Sequence, residues 1–576
     1  MKLAEALQLA REPREDGIPF RVNLVCGFAP LHLETFLVAH LSQCNPRYRP
    51  VVTGGLYGDC AGNLERVSEA ECDGVALVME WQDLDPRLGI RRASGWGLGD
   101  QSDMINTARL NVGRLVSAIH KFQHVTVVIC LPTLPLPPID VVPGWQEGPL
   151  EIAIRGELSR FAETLAALPR CKIVSGQRLD AQSPPADRFD VRMELAAGFP
   201  YRTKHASVVA QCMAQLLAPP QAKRGLITDL DDTLWSGLVG EIGVESISWT
   251  LDQGSQIHAL YQQMLASLAE SGVLVAVASK NDSTLVRSAL ARSDLIVGAH
   301  HIFPVEVSWK PKSEAVSRIL KAWNIAADSV VFVDDSPLEL AEVKAAFPEI
   351  DCLPFPREDP EAAFALFGRL RDLFGKEVVT DEDLIRSETL RRAQDLATDR
   401  TSARQTEDEF LRSINSTVTI QIEKDAADPR PLALVNKTNQ FNLNGTRYNE
   451  ASWSAYLNNP KSTSFVVSYE DKYGPLGKIA VVAGRKQGST FLVDMWVMSC
   501  RAFSRHIEHA CVATIFDHLG VEEIEFMYKE TPRNEPMRDF LTALLGSPSA
   551  AGRMLSRSAF SRLSAFIPPV KVAAHG

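Results

Sequence analysis

Arg224–Gly243, RGLITDLDDTLWSGLVGEIG, decides the fold of the middle of the chain. A short apolar run, Leu226-Ile227, leads into Asp229, Asp231 and Asp232, three carboxylates within four residues. Carboxylates that close repel one another, so a buried set needs a cation or shared protons. If a strand ends at Asp229, the acids lie where a parallel sheet opens into a crevice, the usual ligand position in open α/β folds. Oxygen ligands around a partly hydrated hard cation suggest Mg²⁺, commonly shared with a phosphate. The plainer alternative for this stretch alone is an acidic turn at a strand end.

Three later stretches extend the pattern. Gly272–Ala278 is a buried-strand run ending at Ser279-Lys280-Asn281, and Trp309-Lys310-Pro311-Lys312-Ser313 places two cations near a proline turn. Val330–Val333 is another buried strand, ending at Asp334-Asp335-Ser336-Pro337. In this order the four stretches resemble the motifs of the haloacid-dehalogenase (HAD) superfamily of phosphoryl-transfer enzymes. The resemblance implies that Asp229 is the nucleophile, since a carboxylate can accept a phosphoryl group and split one hard step into two. It implies that Asp231 protonates the leaving oxygen and then deprotonates the attacking water. Asp334 and Asp335 would join Asp229 and Asp231 around Mg²⁺, which offsets charge on the transferring oxygens. Thr233, Ser279 and Lys312 would hold the phosphate by hydroxyl groups and a fixed positive charge. Lys310 competes for that last role, and the plain alternative for either lysine is a solvated turn cation.

At 576 residues the chain is long enough for three or four domains. Its 45% hydrophobic and 23% charged residues are those of ordinary globular protein. A net charge of −11 argues against general nucleic-acid affinity, which relies on basic surface. No apolar segment approaches membrane-spanning length, and MKLAEALQLAREPRED lacks the apolar core of a signal peptide. Ten cysteines are scattered without CxxC pairing, so reduced thiols in the cytoplasm are the simplest expectation.

Residues 1–220 alternate strands and helices, which predicts an α/β layer with a parallel sheet. Strands are expected at Phe20–Cys26, Gly74–Met79, Val125–Cys130 and Cys171–Ser175, with helices at Pro30–Leu41, 150–168 and His205–Leu217. The order resembles an SGNH-hydrolase-like domain, but Cys26-Gly27-Phe28 stands where that family has its serine nucleophile. His205 lacks the family's DxxH context and reads as a cap or satisfied surface group. The expectation is a non-catalytic recognition or scaffolding unit, with Cys26 as a thiol nucleophile the alternative.

The catalytic domain is expected over 221–357, with too few residues between Thr233 and Gly272 for a large cap. Leu234–Val244, Ser279–Asp282 and Trp309–Ser313 resemble the FkbH-like, subfamily IIIC HAD proteins. That resemblance continues through 545 and implies a glyceryl or related acyl thioester made on an acyl carrier protein from a phosphorylated three-carbon donor. Ser336 stands where the family has Asn, and Glu339 fits its next acidic position. Residues 358–414 are expected as a helical linker, in which Asp381, Asp383 and Arg386 match the family. Leu434–Leu443 carries NKTNQFN, whose Asn436, Lys437, Asn439, Gln440 and Asn442 would orient a phosphate or a phosphopantetheine arm; an Asn-rich turn is the alternative.

Residues 415–545 resemble an acetyltransferase-type (GNAT-like) α+β fold, and 546–576 read as a Ser/Ala-rich, partly ordered tail. Strands at Phe465–Tyr469, Ile479–Ala483 and Phe491–Val497 lead into Ser499-Cys500-Arg501-Ala-Phe-Ser504-Arg505-His506. Arg501 and Arg505 would meet the carrier's phosphate. Cys500, beside two arginines at a helix start, is placed for a lowered pKa and for passing an acyl group to a carrier thiol; a buried core cysteine is its alternative. Asn534 matches a further family position. Three functions are thus open: a carrier-protein acyltransferase, a Mg²⁺-dependent phosphatase whose flanking domains only choose substrate or partner, and a scaffold with a regulatory HAD site.

Overall fold

The structure, a computed structural model, describes residues 1–11, 17–93, 96–377, 379–384, 390, 412, 415–422, 424–472, 474–499, 502–503, 505–546, 554–563 and 567–574. It divides into two compact units, Met1–Gln221 with Asn449–Ser454, and Ala222–Tyr448 with Ala455–Gly576.

The first unit is built on five parallel strands, β1 (Ile18–Val25), β2 (Tyr48–Gly54), β3 (Gly74–Val78), β4 (Thr126–Cys130) and β5 (Cys171–Ile173), in the order β2-β1-β3-β4-β5. Successive side chains point to opposite faces of a strand. Ala76 and Val78 of β3 accordingly join the core under helices Leu31–Cys44 and Thr203–Leu217. Val75 and Leu77 join the core under Gln101–Ile119 and Pro149–Ala166. Both faces are covered, which is why the strands read as near-continuous apolar runs. The Arg/Pro-containing β2 and the polar-rich helix Gln101–Ile119 lack such a run and do not announce themselves in the sequence.

Two readings of this unit change. His205 is no surface group: it is fully buried, with its ring nitrogens against Thr133 Oγ1 and Ser183 Oγ, both at 2.9 Å. Cys26 is buried, its Sγ donates to the Phe28 carbonyl at 3.3 Å, and burial pushes the thiol pKa up. A thiolate nucleophile needs the opposite setting.

The second unit holds two sheets. The first is again all parallel: β6 (Gly225–Thr228), β7 (Leu274–Ser279), β8 (Ile302–Val307), β9 (Val330–Asp334) and β10 (Asp351–Pro354), in the order β10-β9-β6-β7-β8. Leu226, Val275, Val277, Val331 and Val333 face helices Gln256–Glu270 and Pro360–Phe374. Ile227, Leu274, Ala276, Val330 and Phe332 face helix Lys312–Trp323 on the other side. Helix Pro360–Phe374, in the stretch expected as a linker, therefore belongs to this layer: Leu366, Phe367, Leu370 and Phe374 are core residues. Asp229 and Asp334 end neighbouring strands where the order reverses, between β6 and β9. That switch point is where open α/β sheets bind ligands.

The second sheet comprises β11 (Thr417–Ile422), β12 (Phe441–Asn442), β13 (Ser462–Asp471), β14 (Gly474–Gln487), β15 (Thr490–Met498), β16 (Glu523–Phe526), β17 (Met554–Ser556) and β18 (Val570–Ala574). The order is β17-β16-β15-β14-β13-β11-β18, with β12 paired to β15. Neighbours β11, β13, β14 and β15 are antiparallel, whereas β15 and β16 are parallel and joined by helix Ile507–Leu519. The stretch expected as a tail supplies both outer strands, β17 and β18. Each is only three to five residues long, too short for alternation to register in the sequence.

No helix among the described residues is long and apolar enough to cross a membrane, and the nine described cysteines are free thiols.

Candidate active site

β6 delivers Asp229 to the sheet edge, and the chain then turns sharply. Asp232 adopts φ 53°, a left-handed conformation that Asp tolerates, and its Oδ1 accepts the N–H of Gly237 at 2.8 Å. Gly237 sits at φ 101°, which a side chain would make strained. The turn keeps Asp229 and Asp231 on one side of the strand end.

Asp229 is 7% exposed, Asp334 is fully buried, and Lys312 is 4% exposed. Lys312 Nζ lies 3.0 Å from Asp229 Oδ2 and 2.5 Å from Asp334 Oδ2. Burial alone would lower the lysine pKa, but the two carboxylates outweigh it and hold it raised. Burial, then the adjacent Asp229 carboxylate, pushes Asp334 above the usual carboxylate range; the same two causes raise Asp335. Ligand-capable oxygens of Asp229, Asp334 and Asp335 lie within 4.8 Å of one another. Lys312 thus serves two of the three carboxylates, the third lies nearer Arg357, and Asp229 Oδ1 and Thr233 Oγ1 are buried with no hydrogen-bond partner. An orphaned anionic oxygen beside excess negative charge fits a hard cation such as Mg²⁺ held by these three acids.

Asp231, counted among the metal ligands in the sequence reading, is not in this cluster. Its Oδ1 accepts Trp235 Nε1 at 2.9 Å and the Val239 N–H at 3.2 Å, and its Oδ2 accepts Asn281 Nδ2 at 2.9 Å. Those donors hold the carboxylate, and the Asp229 charge is among the causes, after burial, that raise its pKa. Ser279 ends β7, next to β6, and is 4% exposed. Lys310 is exposed, 3.6 Å from Glu314, a solvated i,i+4 pair.

Two supporting residues, Glu342 and Arg357, carry no mark in the sequence, and a third, Glu339, stands at the acidic position of the family likeness. Helix Lys312–Trp323 starts after Pro311 without a cap of its own. Glu342 supplies one from helix Pro337–Ala346, accepting the N–H groups of Lys312 and Ser313 at 3.1 Å each. One turn earlier on that helix, Glu339 accepts Lys280 Nζ at 2.8 Å. Arg357, just past β10, pairs with Asp232 and lies 3.4 Å from Asp335 Oδ2.

In the second sheet, Asn436 bonds both ways with the Tyr448 backbone, accepting its N–H at 3.0 Å and donating to its carbonyl at 2.7 Å. Asn439 Oδ1 accepts Arg447 Nη2 at 2.5 Å. Asn442 is 2% exposed and closes its own loop, donating to Thr438 O and accepting from Asn444 and Gly445. Asn534 Nδ2 donates to the Asn442 carbonyl at 3.0 Å. These amides tie the segment to its own turn, to Arg447 and Tyr448, and to Asn534; Lys437 and Gln440 are exposed. Arg505 is directed into the fold, 5.5 Å over the Tyr469 ring and 3.5 Å from Asp471 Oδ2. Cys500, Arg501 and Ser504 lie outside the described residues, as does Arg386.

No family model matches the chain, and no curated protein sequence matches it. Among solved structures it is similar to the N-terminal part of protein BF1531 from Bacteroides fragilis, which contains a phosphatase domain and is complexed with Mg. Identity is 18%, TM-score 0.53, and the match covers 66% of this chain and all of that one (100%). An uncharacterized protein from Corynebacterium glutamicum matches at 19% identity and TM-score 0.19, over 27% of this chain and 99% of that one. The salicylyl-acyltransferase SsfX3 from a tetracycline biosynthetic pathway matches at 11% identity and TM-score 0.21, over 35% and 54%. The first of these likenesses establishes a fold: a mixed α/β chain with parallel sheets, built like a protein part that contains a phosphatase domain.

Proposed function

We propose that the second unit is a Mg²⁺-dependent phosphoryl-transfer enzyme of the HAD type. The observation that carries this is the buried Asp229–Lys312–Asp334 constellation at the sheet's switch point, with Asp229 Oδ1 left without a partner. An oxygen of Asp229 attacks the phosphorus as the bond to the leaving oxygen breaks, giving an aspartyl phosphate. Asp231, held by Trp235 and Asn281 with its pKa raised by burial, gives a proton to the leaving oxygen. It then takes one from the water that attacks the phosphorus, releasing phosphate and restoring Asp229. Lys312 keeps a fixed positive charge beside the transferring oxygens, and Ser279 and Thr233 offer hydroxyl groups. Mg²⁺ held by Asp229, Asp334 and Asp335 would offset charge on those same oxygens. The phosphatase domain and Mg of the Bacteroides fragilis neighbour support this reading.

The finer reading is an FkbH-like acyltransfer: the Cys500 thiolate attacks the acyl carbon of a three-carbon acyl phosphate and displaces its phosphate, and any remaining phosphate ester is cleaved at Asp229 as above. An acyl carrier protein thiol then takes the acyl group, its proton passing to the departing Cys500 sulfur. Its support is the match of NKTNQFN and SCR to that family, and the parallel β15/β16 pair joined by one helix, as in acetyltransferase-type folds. Lys437 and Gln440, exposed beside β12, are the members of the amide block we assign to the carrier arm. Intact mass spectrometry with Mg²⁺, phosphoglycerates and holo carrier protein separates the two. Phosphate release with a mass gain on the carrier, lost in Cys500→Ala, supports transfer; phosphate release without any thioester leaves a phosphatase.

A further inference from the structure

The first unit contains a cavity unrelated to the phosphoryl site. It lies past the ends of β3 and β4 and encloses about 180 Å³. Its wall is largely apolar, with Trp81, Leu88, Leu134, Pro137 and Phe189 among the residues facing it. Two carboxylates also face it, Glu80 and Glu194, and they differ in one respect.

Glu80 is fully provided for. It accepts Tyr201 Oη at 2.7 Å, Thr133 Oγ1 at 2.8 Å, and the N–H groups of Thr133 and Leu134 at 3.2 and 3.3 Å. Glu194, on helix Val191–Ala197, is 1% exposed, and both its carboxylate oxygens are buried without any partner. The nearby cation, Arg91, does not neutralise it by a direct bond: its Nη1 donates to the Glu194 main-chain carbonyl, and its guanidinium lies 5.4 Å over the Tyr57 ring. A buried charge without a counter-charge is strongly unfavourable. Burial pushes the Glu194 pKa up, and the charge of Arg91 offsets only part of that rise.

We infer that this cavity is a second ligand site, which takes a small apolar molecule bearing one protonated amine, with Glu194 as its counter-ion. Size fits the class: an engineered apolar cavity of about 150 Å³ accommodates benzene, so this one holds a single ring, or equal bulk, with an aminomethyl group. A metal ion is disfavoured, because among the described residues the acids around this cavity form no cluster able to hold one. Anionic ligands would meet Glu194 and Glu80 and are repelled.

Calorimetric titration of the full-length protein with benzylamine, benzyl alcohol and benzoate tests this. Benzylamine should bind at least about tenfold more tightly than benzyl alcohol, a difference of about 1.4 kcal/mol, and benzoate should not bind. Glu194→Gln, checked for fold by circular dichroism, should lose that tenfold advantage while still taking benzyl alcohol. The ligand series on the unaltered protein stands by itself if the variant does not fold. No binding of benzylamine, equal binding of amine and alcohol, or an undiminished advantage in a folded Glu194→Gln protein would each overturn the inference.

Discussion

Lys312 is the residue on which the charge balance of the phosphoryl site turns. It is the single cation against Asp229 and Asp334, all three nearly or fully buried. Removing one partner of a buried charged set costs about 3–5 kcal/mol, because the others stay buried and uncompensated. Lys312→Met should therefore lower the melting temperature sharply in metal-free buffer and should regain part of the loss on adding Mg²⁺; calorimetry with and without the ion checks this. Asn281→Ala and Trp235→Phe each remove one donor that aims Asp231. Each leaves the acid–base group itself in place, so both should reduce phosphate release by about 10–100-fold, below the roughly 10²–10⁴-fold that a positioned acid–base group contributes outright, measured as kcat/KM on an activated phosphate ester. In the first unit, His205 is depressed to about 3, by burial and then by Arg188. Unfolded, it takes a proton near pH 6.5. Its contribution to stability is thus complete above about pH 6.5 and is lost progressively as pH falls towards 3. Glu80 and Asp83, pushed up to about 7 by burial, act with the opposite sign. They are present in both wild type and His205→Gln, so melting curves of the two between neutral and acid pH isolate the histidine: the wild type should lose stability more steeply.

Helix Pro337–Ala346 ties two parts of the site together through Glu339 and Glu342, which lie one turn apart on one face. Glu342→Ala removes the only side-chain cap of helix Lys312–Trp323 and should cost about 1–2 kcal/mol of stability, with a loss of turnover as Lys312 shifts; denaturant unfolding and kcat report the two effects. Elements buried on both faces were legible in the sequence. β6, β7 and β9 are short, largely apolar runs that lead into the acids or serine that matter, and the likeness of their order to the HAD motifs is what brings Asp229, Lys312 and Asp334 into one reading. What was not legible follows from the same physics. β10 and β17 are too short for a period to show, β8 is interrupted by Pro304, and helix Pro360–Phe374 falls in a stretch expected as a helical linker, since its apolar face does not say which layer it joins. Spacing does not say which partners each carboxylate takes: Asp229, Asp334 and Asp335 form the close group, whereas Asp231 is held by Trp235, the Val239 N–H and Asn281. In NKTNQFN, sequence does not separate the amides that close the loop, Asn436 and Asn442 on backbone partners at Tyr448, Thr438 and Gly445 and Asn439 on Arg447, from the exposed Lys437 and Gln440.

At the scale of the whole chain, the −11 net charge and the clustered acids of the second unit make cation binding the main lever on stability. A ligand that binds only the folded state adds about 2.7 kcal/mol at a hundredfold excess over its Kd. Mg²⁺ should raise the melting transition accordingly, and Asp334→Asn should abolish the rise. The account as a whole rests on Asp229 acting as the nucleophile. Its most direct test is rapid-quench mass spectrometry of Asp231→Asn mixed with Mg²⁺ and a phosphorylated substrate. The account predicts a single phosphoryl adduct that maps to Asp229 and disappears in Asp229→Asn. Phosphate released by the unaltered protein with no adduct on Asp229, or an adduct on any other residue, would contradict it.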